Sequence, residues 1–520
     1  MKQFFLSCLI LSLFIPAFSA NAELALVGDH GVLYKQPDSE WKAELDGFYR
    51  LSFNSLGYVR TLDHNDKDDQ QNYLGYQYEV GLGATYQENF KGYIRFASYG
   101  PTEYDAPLAP EGPVRTIWGD VGEYWGKKML PRLDEWWIDL PVGNLPARVK
   151  SGLFTYSVGS GLALGGYYEK YGFSIYNETD DFSWTFHFDV PDIEKRWYLG
   201  PKLIAEKEAL GMRYDTKAYF FAFDMIARVG NMTLQPYIGF LSDMTPWARR
   251  SSMYAQRVDK DYLGTYGGVI NLEVGDLTLG AEAAGNFGEA VSLDPGMPDM
   301  KHRGYFWLLS AEYSYDEKII PRSKLYYVSG NKFVGDDLSD GQLVKGVNNA
   351  FSVYSPTDSN LADTHYPAFS SGPYVFTGMG NALNFGVWRP NTFSDPYQMT
   401  NLIAPNVGID FYPTDHISIS FDYWYLHTQQ PPIGGNVDPA SGMVTPFTLP
   451  SSLGNEIDLY IEYYPTDLIT FSFLGGLFFP GEYFRKTRTD MDPLGIAAAP
   501  RYDGGASNAW QMEMAITFNI

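Results

Sequence analysis

The last eleven residues of the chain alternate strictly between large apolar side chains and polar or small ones. The apolar positions are Trp510, Met512, Met514, Ile516, Phe518 and Ile520, and between them stand Gln511, Glu513, Ala515, Thr517 and Asn519. A period of two predicts a β-strand with one apolar and one polar face. In a soluble sandwich the apolar face points inward, whereas in an outer-membrane barrel it points to lipid and the polar face lines the lumen.

Other segments alternate in the same way and are separated by short turns. These turns contain the Gly, Asn or Asp that tight β-hairpins require. The predicted strands lie at about 43–53, 80–86, 91–99, 135–140, 147–154, 219–227, 233–240, 265–274, 277–284, 305–315 and 319–328. The turns between them fall at 87–89, 142–144, 229–231, 275–276 and 316–318. Long polar segments connect the opposite ends of the strands.

One turn is repeated near the C-terminus. Residues 409–421 and 461–473 both contain Tyr-Pro-Thr-Asp, and their offset of 52 residues equals two strands and one long loop. Dividing the chain into such units predicts an all-β, transmembrane antiparallel barrel of about 16–18 strands, with short periplasmic turns and long extracellular loops. The barrel has to close because lipid cannot pair with the edge of a strand.

The N-terminus indicates export. Lys2, a short apolar run and the small residues 19–22 predict a secretory signal peptide over 1–22, with a buried N-terminal helix as the alternative. The mature chain is then a single barrel domain over 23–520. The only cysteine of the sequence, Cys8, lies in the signal peptide. We therefore expect no disulfide framework and no thiol chemistry in the mature chain.

Composition favours the barrel over the sandwich. The chain contains 40 Tyr, 34 Phe, 12 Trp and 52 Gly, which suits a barrel with aromatic girdles at both membrane interfaces. After the signal peptide no apolar run reaches the length of about 18 residues that a membrane helix needs. A formal net charge of −24 argues against nucleic acid as a partner.

Two polar segments are predicted as loops. Residues 61–72 contain four aspartates, which could hold a cation or bridge to lipopolysaccharide, although a solvated loop is the simpler interpretation. Residues 330–400 lack strong alternation and contain at most short strands near 374–378 and 382–388. A loop of this length covers the mouth, folds inward as a plug, or extends outside the barrel.

Charged residues on the faces opposite the apolar ones are the candidate lumen residues. The first half of the chain contributes the basic residues Arg50, Arg95, Arg148, Lys150 and Arg228. The second half contributes the acidic residues Glu273, Glu282, Asp410, Asp422, Asp458, Glu462 and Glu513. If strand order maps to position around the wall, one arc is basic and the other acidic, and the field between them orients charged solutes. The alternative is that these residues form salt bridges that stiffen the wall.

Histidines are the candidates for catalysis. A barrel hydrolase needs a His beside an acid or a Ser. His187, His365, His416 and His427 are scattered along the chain, and the sequence shows no such group around them. We therefore expect no catalytic residues, no metal and no cofactor.

Several segments resemble the alginate-export family of outer-membrane β-barrel proteins. Residues 453–484 contain Gly454-Asn455-Glu456-Ile457-Asp458-Leu459 and Phe478-Phe479-Pro480-Gly481, which match the family's strand before a Pro-containing turn and its Phe-Phe-Pro-Gly strand end. Segments 133–154, 280–289 and 326–342 are similar as well, except that Gly152-Leu153-Phe154 stands where the family commonly has Gly-Arg-Gln. The resemblance implies a monomeric barrel of about 18 strands that passes an anionic uronate polysaccharide through a basic, loop-gated lumen.

The sequence thus predicts a channel of the alginate-export type in a Gram-negative outer membrane, which passes an anionic polysaccharide or related solute. A general or substrate-preferring porin for small solutes is the alternative, and an outer-membrane hydrolase or a structural barrel are two further interpretations. The expected partners are outer-membrane lipid and lipopolysaccharide, the transported solute, and the barrel-assembly machinery through the C-terminal strand.

Overall fold

The structure is a computed structural model that describes part of the 520-residue chain. The described residues are 34–35, 41–58, 70–87, 89–99, 132–161, 163–165, 170–179, 181–190, 218–244, 258–292, 298–316, 318–330, 347–351, 401–431, 433–437, 444–448, 450–489 and 506–520.

Eighteen strands in these residues build one barrel wall. They are β1 (Trp41–Gly57), β2 (Gln70–Tyr86), β3 (Phe90–Tyr99), β4 (Arg132–Pro141), β5 (Arg148–Phe154), β6 (Lys170–Glu178), β7 (Phe182–Asp189), β8 (Ala218–Val229), β9 (Met232–Asp243), β10 (Val258–Val274), β11 (Leu277–Ser292), β12 (Tyr305–Tyr313), β13 (Ile319–Val328), β14 (Leu402–Thr414), β15 (Ile417–Thr428), β16 (Ser452–Thr466), β17 (Ile469–Pro480) and β18 (Ala509–Asn519). One helix, α1 (Glu482–Thr489), follows β17.

The wall is a closed antiparallel barrel. Each strand pairs with the next one along the chain, and β18 pairs with β1 from Phe48 opposite Asn519 to Gly57 opposite Trp510. Closure leaves neither terminal strand of the sheet with an unpaired edge, as the hydrocarbon core requires. The predicted all-β barrel is confirmed, with a strand number at the upper end of the predicted range.

The two faces of the wall have different surroundings. Large apolar side chains project from the outside and are exposed, and alternate positions face the lumen. The exposed set includes Tyr49, Leu51, Phe53, Leu74, Ile138, Leu140, Tyr266, Ile270, Trp307, Leu309, Val407, Ile409, Phe421, Tyr423, Phe471, Met514 and Phe518. An apolar, aromatic-rich exterior on a closed barrel identifies a bacterial outer-membrane protein.

The predicted hairpins are confirmed. In the turn after β2, the Asn89 amide donates a 2.9 Å hydrogen bond to the Tyr86 carbonyl. The two copies of the repeated turn connect β14 to β15 and β16 to β17, at equivalent places in consecutive hairpins. Short turns therefore gather at one end of the barrel and long connections at the other.

Several strands are longer than the predicted ones. Residues 70–72, predicted to belong to a polar loop, are the start of β2 and pair with Ser55–Gly57 of β1. Beyond the membrane both faces of a strand meet water, so hydrogen bonding continues after the hydrophobic alternation has stopped. β6 and β7 are absent from the predicted strands, although Phe173 and Ile175 alternate with polar residues there.

Some predictions lie outside the described residues. They concern the signal peptide over 1–22, the loop at 61–69, and most of the segment 330–400, including its short strands near 374–378 and 382–388. Among the helices in the described ranges, none has the length and apolar character needed to cross a membrane, a finding that does not bear on β-barrels.

The outward position of Met514 gives a test of the barrel. Met514 lies near the middle of β18, so Met514→Arg should lower the free energy of unfolding in lipid by about 2–4 kcal/mol. The measurement is a urea titration of protein refolded into vesicles. Ser472→Lys on the lumen face of neighbouring β17, beside Glu462, is the control and should cost far less. Equal losses in both variants would contradict the assignment of the two faces.

Candidate functional site

The strand register places the predicted charged residues on the lumen-facing side of the wall. Arg50, for example, lies between the outward side chains of Tyr49 and Leu51. Followed around the barrel, the same face carries Arg95, Arg148, Lys150, Arg228, Glu273, Glu282, Asp410, Asp422, Asp458, Glu462 and Glu513. Arg228 and Glu273 are exposed near the short turns.

Arg50 and Arg95 have carboxylate partners on neighbouring strands. Arg50 of β1 forms an ion pair with Glu513 of β18, across the seam where the barrel closes. Arg95 of β3 lies 3.2 Å from a carboxylate oxygen of Glu135 and 3.7 Å from one of Glu79. These pairs connect neighbouring strands within the wall, so they neutralise much of the charge that the sequence alone assigns to the lumen.

A similar group surrounds Arg148. Its Nε donates a 2.8 Å hydrogen bond to Asp139, which is buried in the wall of β4. The hydroxyl of Tyr176 donates to the second carboxylate oxygen of Asp139. Asp139 thereby receives charge-assisted hydrogen bonds on both oxygens, which compensates the cost of its burial.

The acidic half of the wall contains an arginine that the sequence analysis did not select. Arg322 of β13 donates to both oxygens of Asp410, each at 2.9 Å, and to both oxygens of Asp422, at 2.7 and 2.8 Å. Asn406 donates a further 2.8 Å bond to Asp422. The Arg322 side chain is only 9% exposed. The alternation of β13 places Arg322 on the lumen face, so the sequence contained a signal for it.

Two further predicted acids, Glu462 and Asp458, are hydrogen-bonded or buried in the wall. Glu462 accepts hydrogen bonds from the hydroxyls of Tyr460 and Tyr464. Asp458 is buried, and so is Glu456, its neighbour on the same face of β16. Paired or buried acids contribute less to the field in the lumen than the formal charges suggest.

The structure therefore differs from the predicted division into a basic and an acidic arc. Glu79, Glu135 and Asp139 lie within the basic arc, and Arg322 lies within the acidic one. Among the described residues, the alternative of salt bridges within the wall accounts for Arg50, Arg95, Arg148 and both aspartates around Arg322. The register could not be read from the sequence, and it decides which charges become neighbours.

A segment after β5 folds into the lumen. It comprises residues 156–161 and 163–165, which we call the strap, and it contains a two-residue hairpin of Ser157–Val158 with Leu164–Gly165. Val158, Ala163 and Leu164 are almost completely buried against the inside of the wall. The strap thus reduces the cross-section of the lumen from one side.

The strap is attached first at Tyr156. Its ring stacks on the imidazole of His187 of β7, with centroids 4.1 Å apart and planes at 6°. Its hydroxyl donates a 2.8 Å hydrogen bond to Asp224 of β8. Burial, and after it the charge of Asp224, raises the pKa of the Tyr156 hydroxyl, so this group stays protonated and keeps donating.

Two further contacts hold the middle of the strap. The Ser160 amide donates a 3.0 Å hydrogen bond to Glu282 of β11, whose other oxygen accepts a 2.8 Å bond from Tyr237. Leu164 packs over Gly239 of β9, where a Cβ atom would lie 2.5 Å from a Leu164 methyl. Glycine at position 239 therefore leaves the space that seats the strap.

His187 belongs to a buried polar group that the sequence did not reveal. Its Nδ1 lies 2.8 Å from the Ser174 hydroxyl, and its Nε2 lies 3.2 Å from Asp189. Ser, His and Asp are the residue types of a hydrolase, but here all three are nearly inaccessible and the Tyr156 ring covers the imidazole. The arrangement orients His187 as a platform for the strap. Ser174 and His187 are opposite each other on β6 and β7, a pairing visible only in the folded barrel.

Apolar side chains of the following strands also fill lumen space near the long loops, in one packed cluster with Val158, Ala163 and Leu164 of the strap. Phe306, Tyr326, Trp424, Leu426 and Phe478 face inward from β12 to β17 and are buried, and we call them the mouth cluster. Residues from outside the wall cover it: the ring centroid of Phe351 lies 5.6 Å from Phe306, and that of Phe484 in α1 lies 5.7 Å from Phe478.

Comparisons with known proteins give similar folds only. No protein-family model matches the chain, and no curated protein matches it. Among solved structures, OccK2 (OpdF) of Pseudomonas aeruginosa is 9% identical, with a TM-score of 0.46 and coverage of 92% of this chain and 97% of the other. A BenF-like porin from Pseudomonas fluorescens Pf-5 is 10% identical, with a TM-score of 0.44 and coverage of 92% and 98%. With TM-scores this low, the fold assignment rests on the strand pairings.

The bonds around Arg322 predict a large effect on stability. Arg322→Met would leave Asp410 and Asp422 close together without their shared cation, so the free energy of unfolding should fall by about 3 kcal/mol. Urea unfolding in vesicles measures it. Arg303→Met, at an exposed position, is the matched control and should change the free energy by less than about 0.5 kcal/mol. If the Arg322 variant lost no more free energy of unfolding than the control, the hydrogen bonds of Arg322 to Asp410 and Asp422 would make no net contribution to stability.

Proposed function

We propose that the protein is an outer-membrane channel for small solutes, a substrate-preferring porin. The observation that carries the proposal is a closed barrel whose polar lumen is narrowed by a strap attached to four strands of the wall, β7, β8, β9 and β11.

The attachment of the strap fixes a size limit in the lumen, which suits a channel for small solutes. Tyr156, Ser160 and Leu164 contact the wall at β8, β11 and β9, so the strap spans a broad arc instead of lining one strand. The mouth cluster and α1 fill further lumen-facing space, in one packed cluster with Val158 and Leu164 of the strap. Segments held by buried hydrogen bonds and apolar packing define a fixed constriction.

The resemblance to the alginate-export family favours a polymer as the solute. Its motif residues Glu456 and Asp458 lie on the lumen face of β16, but both are buried. The basic lumen that the resemblance implies is represented here by arginines with carboxylate partners. A uronate polymer is therefore the second candidate, and the outcome of the transport assay separates it from the first.

A transport role is also the best account of the Ser174, His187 and Asp189 group. Hydrolysis needs a nucleophile that a substrate can reach and donors for the oxyanion. Ser174 is 5% exposed and lies behind the strap, so its hydroxyl serves as a hydrogen-bond partner of His187. We infer that the protein is not an enzyme.

The test is a pair of transport assays on the refolded mature protein. Planar bilayers should show stable single-channel conductance, and liposome swelling should occur with monosaccharide-sized solutes and stop with oligosaccharides. Block of the conductance by oligo-uronates, together with swelling in larger sugars, would instead support polysaccharide export. Absence of conductance would contradict a channel of either kind.

Substitution of Gly239, which seats Leu164, tests the strap as the constriction. Gly239→Val places methyl groups where Leu164 packs, so it should displace the strap, raise single-channel conductance about twofold and extend swelling to larger sugars. Gly268→Val, at an outward position of β10 where a Cβ makes ordinary contacts, is the matched control. An unchanged size limit in the Gly239 variant would exclude the strap as the constriction.

A further inference from the structure

The outer surface of the barrel carries a basic patch at the end where the long connections begin. It lies on β10 and on the strand segment that leads into β12. It consists of Lys260, Lys301 and Arg303, all exposed, which we call the outer patch. Met300 and His302 are both 2% exposed and face the interior, so alternation directs Lys301 and Arg303 outward. The outer patch therefore faces the surroundings of the barrel and not its lumen.

The outer patch belongs to the hydrogen-bonded wall. Lys301 lies opposite Glu289 of β11 in an antiparallel pairing. Nearer to β12, the Asn286 amide of β11 donates a 2.7 Å hydrogen bond to the Gly304 carbonyl. Lys260 lies on β10, which pairs with the other edge of β11. The three cations are therefore held at fixed places on neighbouring strands.

The outward side chains along this part of the wall change from apolar to aromatic to cationic. In order from the middle of the membrane to the mouth, they are Leu309, Trp307, Tyr305, Arg303 and Lys301. Because a strand rises about 3.3 Å per residue, Arg303 lies about 7 Å beyond Tyr305 along the strand. The same order of acyl chains, interface and charged headgroups is found across one leaflet of a membrane.

Three aromatic rings lie next to the outer patch on its membrane side. Tyr305 and Tyr327 are stacked, with centroids 5.8 Å apart and planes at 20°, and the Trp307 ring lies 5.8 Å from that of Tyr327. Tyr305 is 38% and Trp307 53% exposed, so both rings are open to lipid. Outward Tyr and Trp side chains of this kind mark the level of the headgroups. The outer patch therefore lies at the headgroups of the outer leaflet.

The cations of the outer patch have no partner within the described part of the chain. The side chains of Lys260, Lys301 and Arg303 form no hydrogen bond and no ion pair there. In the lumen, by contrast, Arg50 and Arg322 bind carboxylates. A guanidinium has five N–H donors and an ammonium has three, and here they remain available to an external acceptor.

Two acids face the outer patch. Glu289 lies opposite Lys301, and Asp299 is exposed at the outer rim, where it accepts a 2.9 Å hydrogen bond from a backbone amide of β11. Arg303 is the cation nearest to the rings, and the register places it beside Phe287 instead of an acid. Positive charge is therefore in excess at the level nearest to the lipid.

A phosphate group on a membrane glycolipid fits this arrangement. A guanidinium binds a phosphate through two parallel hydrogen bonds, and an ammonium adds a point charge. Exposed aromatic rings beside the cations offer apolar faces to a sugar ring or to the start of an acyl chain. A lipid with phosphates on a sugar backbone combines these parts, and it belongs to the leaflet at this end of the barrel.

We propose that the outer patch is a binding site for the phosphate groups of lipid A, the glycolipid that anchors lipopolysaccharide in the outer leaflet. The site gives the expected lipopolysaccharide partner a defined place on the wall, at β10 to β12. It is independent of the proposed channel function, because no lumen residue takes part.

The first experiment titrates lipid A onto the refolded mature protein in detergent and measures the bound fraction by native mass spectrometry. Wild-type protein should bind lipid A at least about tenfold more tightly than dephosphorylated lipid A or phosphatidylglycerol. A higher concentration of ammonium acetate should weaken the binding of lipid A. Equal affinities for lipid A and its dephosphorylated form would overturn the proposal. Equal affinities for lipid A and phosphatidylglycerol would overturn it in favour of anionic lipids in general.

Variants locate the site. The double variant Lys301→Met, Arg303→Met should bind lipid A about thirtyfold more weakly, since each cation beside an anionic lipid contributes roughly a factor of five. Lys318→Met, at an exposed position in the short turn between β12 and β13, is the matched control and should leave the affinity unchanged. Urea unfolding like that of wild-type protein, in phospholipid vesicles without lipid A, shows that a variant is folded. Unchanged affinity in a folded double variant would refute the site.

Discussion

Closure of β18 onto β1 is the constraint on which the rest of the structure depends. Lipid offers no hydrogen bonds, so the first and last strands have to pair although the whole barrel sequence separates them. Closure also fixes which face of each strand points into the lumen, because a slip of one residue in the strand pairing would turn every lumen side chain outward. The pair of Arg50 with Glu513 lies at this seam and matches charge across it. The choice of the inward face then decides which side chains of adjacent strands can meet inside the barrel.

Two kinds of interaction share the lumen face. Arginines and acids on adjacent strands bind each other and stiffen the wall, and they leave little charge for a solute. At the strap the wall also holds buried hydrogen bonds to Asp224 and Glu282 and the stack of Tyr156 on His187. Selectivity in such a lumen depends less on the total charge than on where charges remain without a fixed partner.

Strict alternation made most of the fold predictable. The C-terminal strand showed which face is apolar, the short hairpins showed where strands end, and the repeated Tyr-Pro-Thr-Asp turn showed how far apart the strands lie in the sequence. Together these three signals predicted the barrel. The strap could not be predicted, since the segment from Tyr156 to Leu164 lacks a regular hydrophobic period. The residues that it contacts on β7 to β11 are also distant in the sequence. The charge pairs were half predictable: alternation placed Arg95 and Arg148 on the lumen face, but only register shows their acids as neighbours.

The attachments of the strap bear on the order of assembly. Tyr156 is separated by 68 residues from Asp224, and Ser160 by 122 residues from Glu282. The strap follows β5 directly in the chain, yet the surface that receives it exists only once β11 has joined the sheet. Ordering it earlier would cost conformational entropy without compensating contacts. The constriction consequently forms after β7 to β11 have paired, and not together with β5, the strand that the strap follows in the chain.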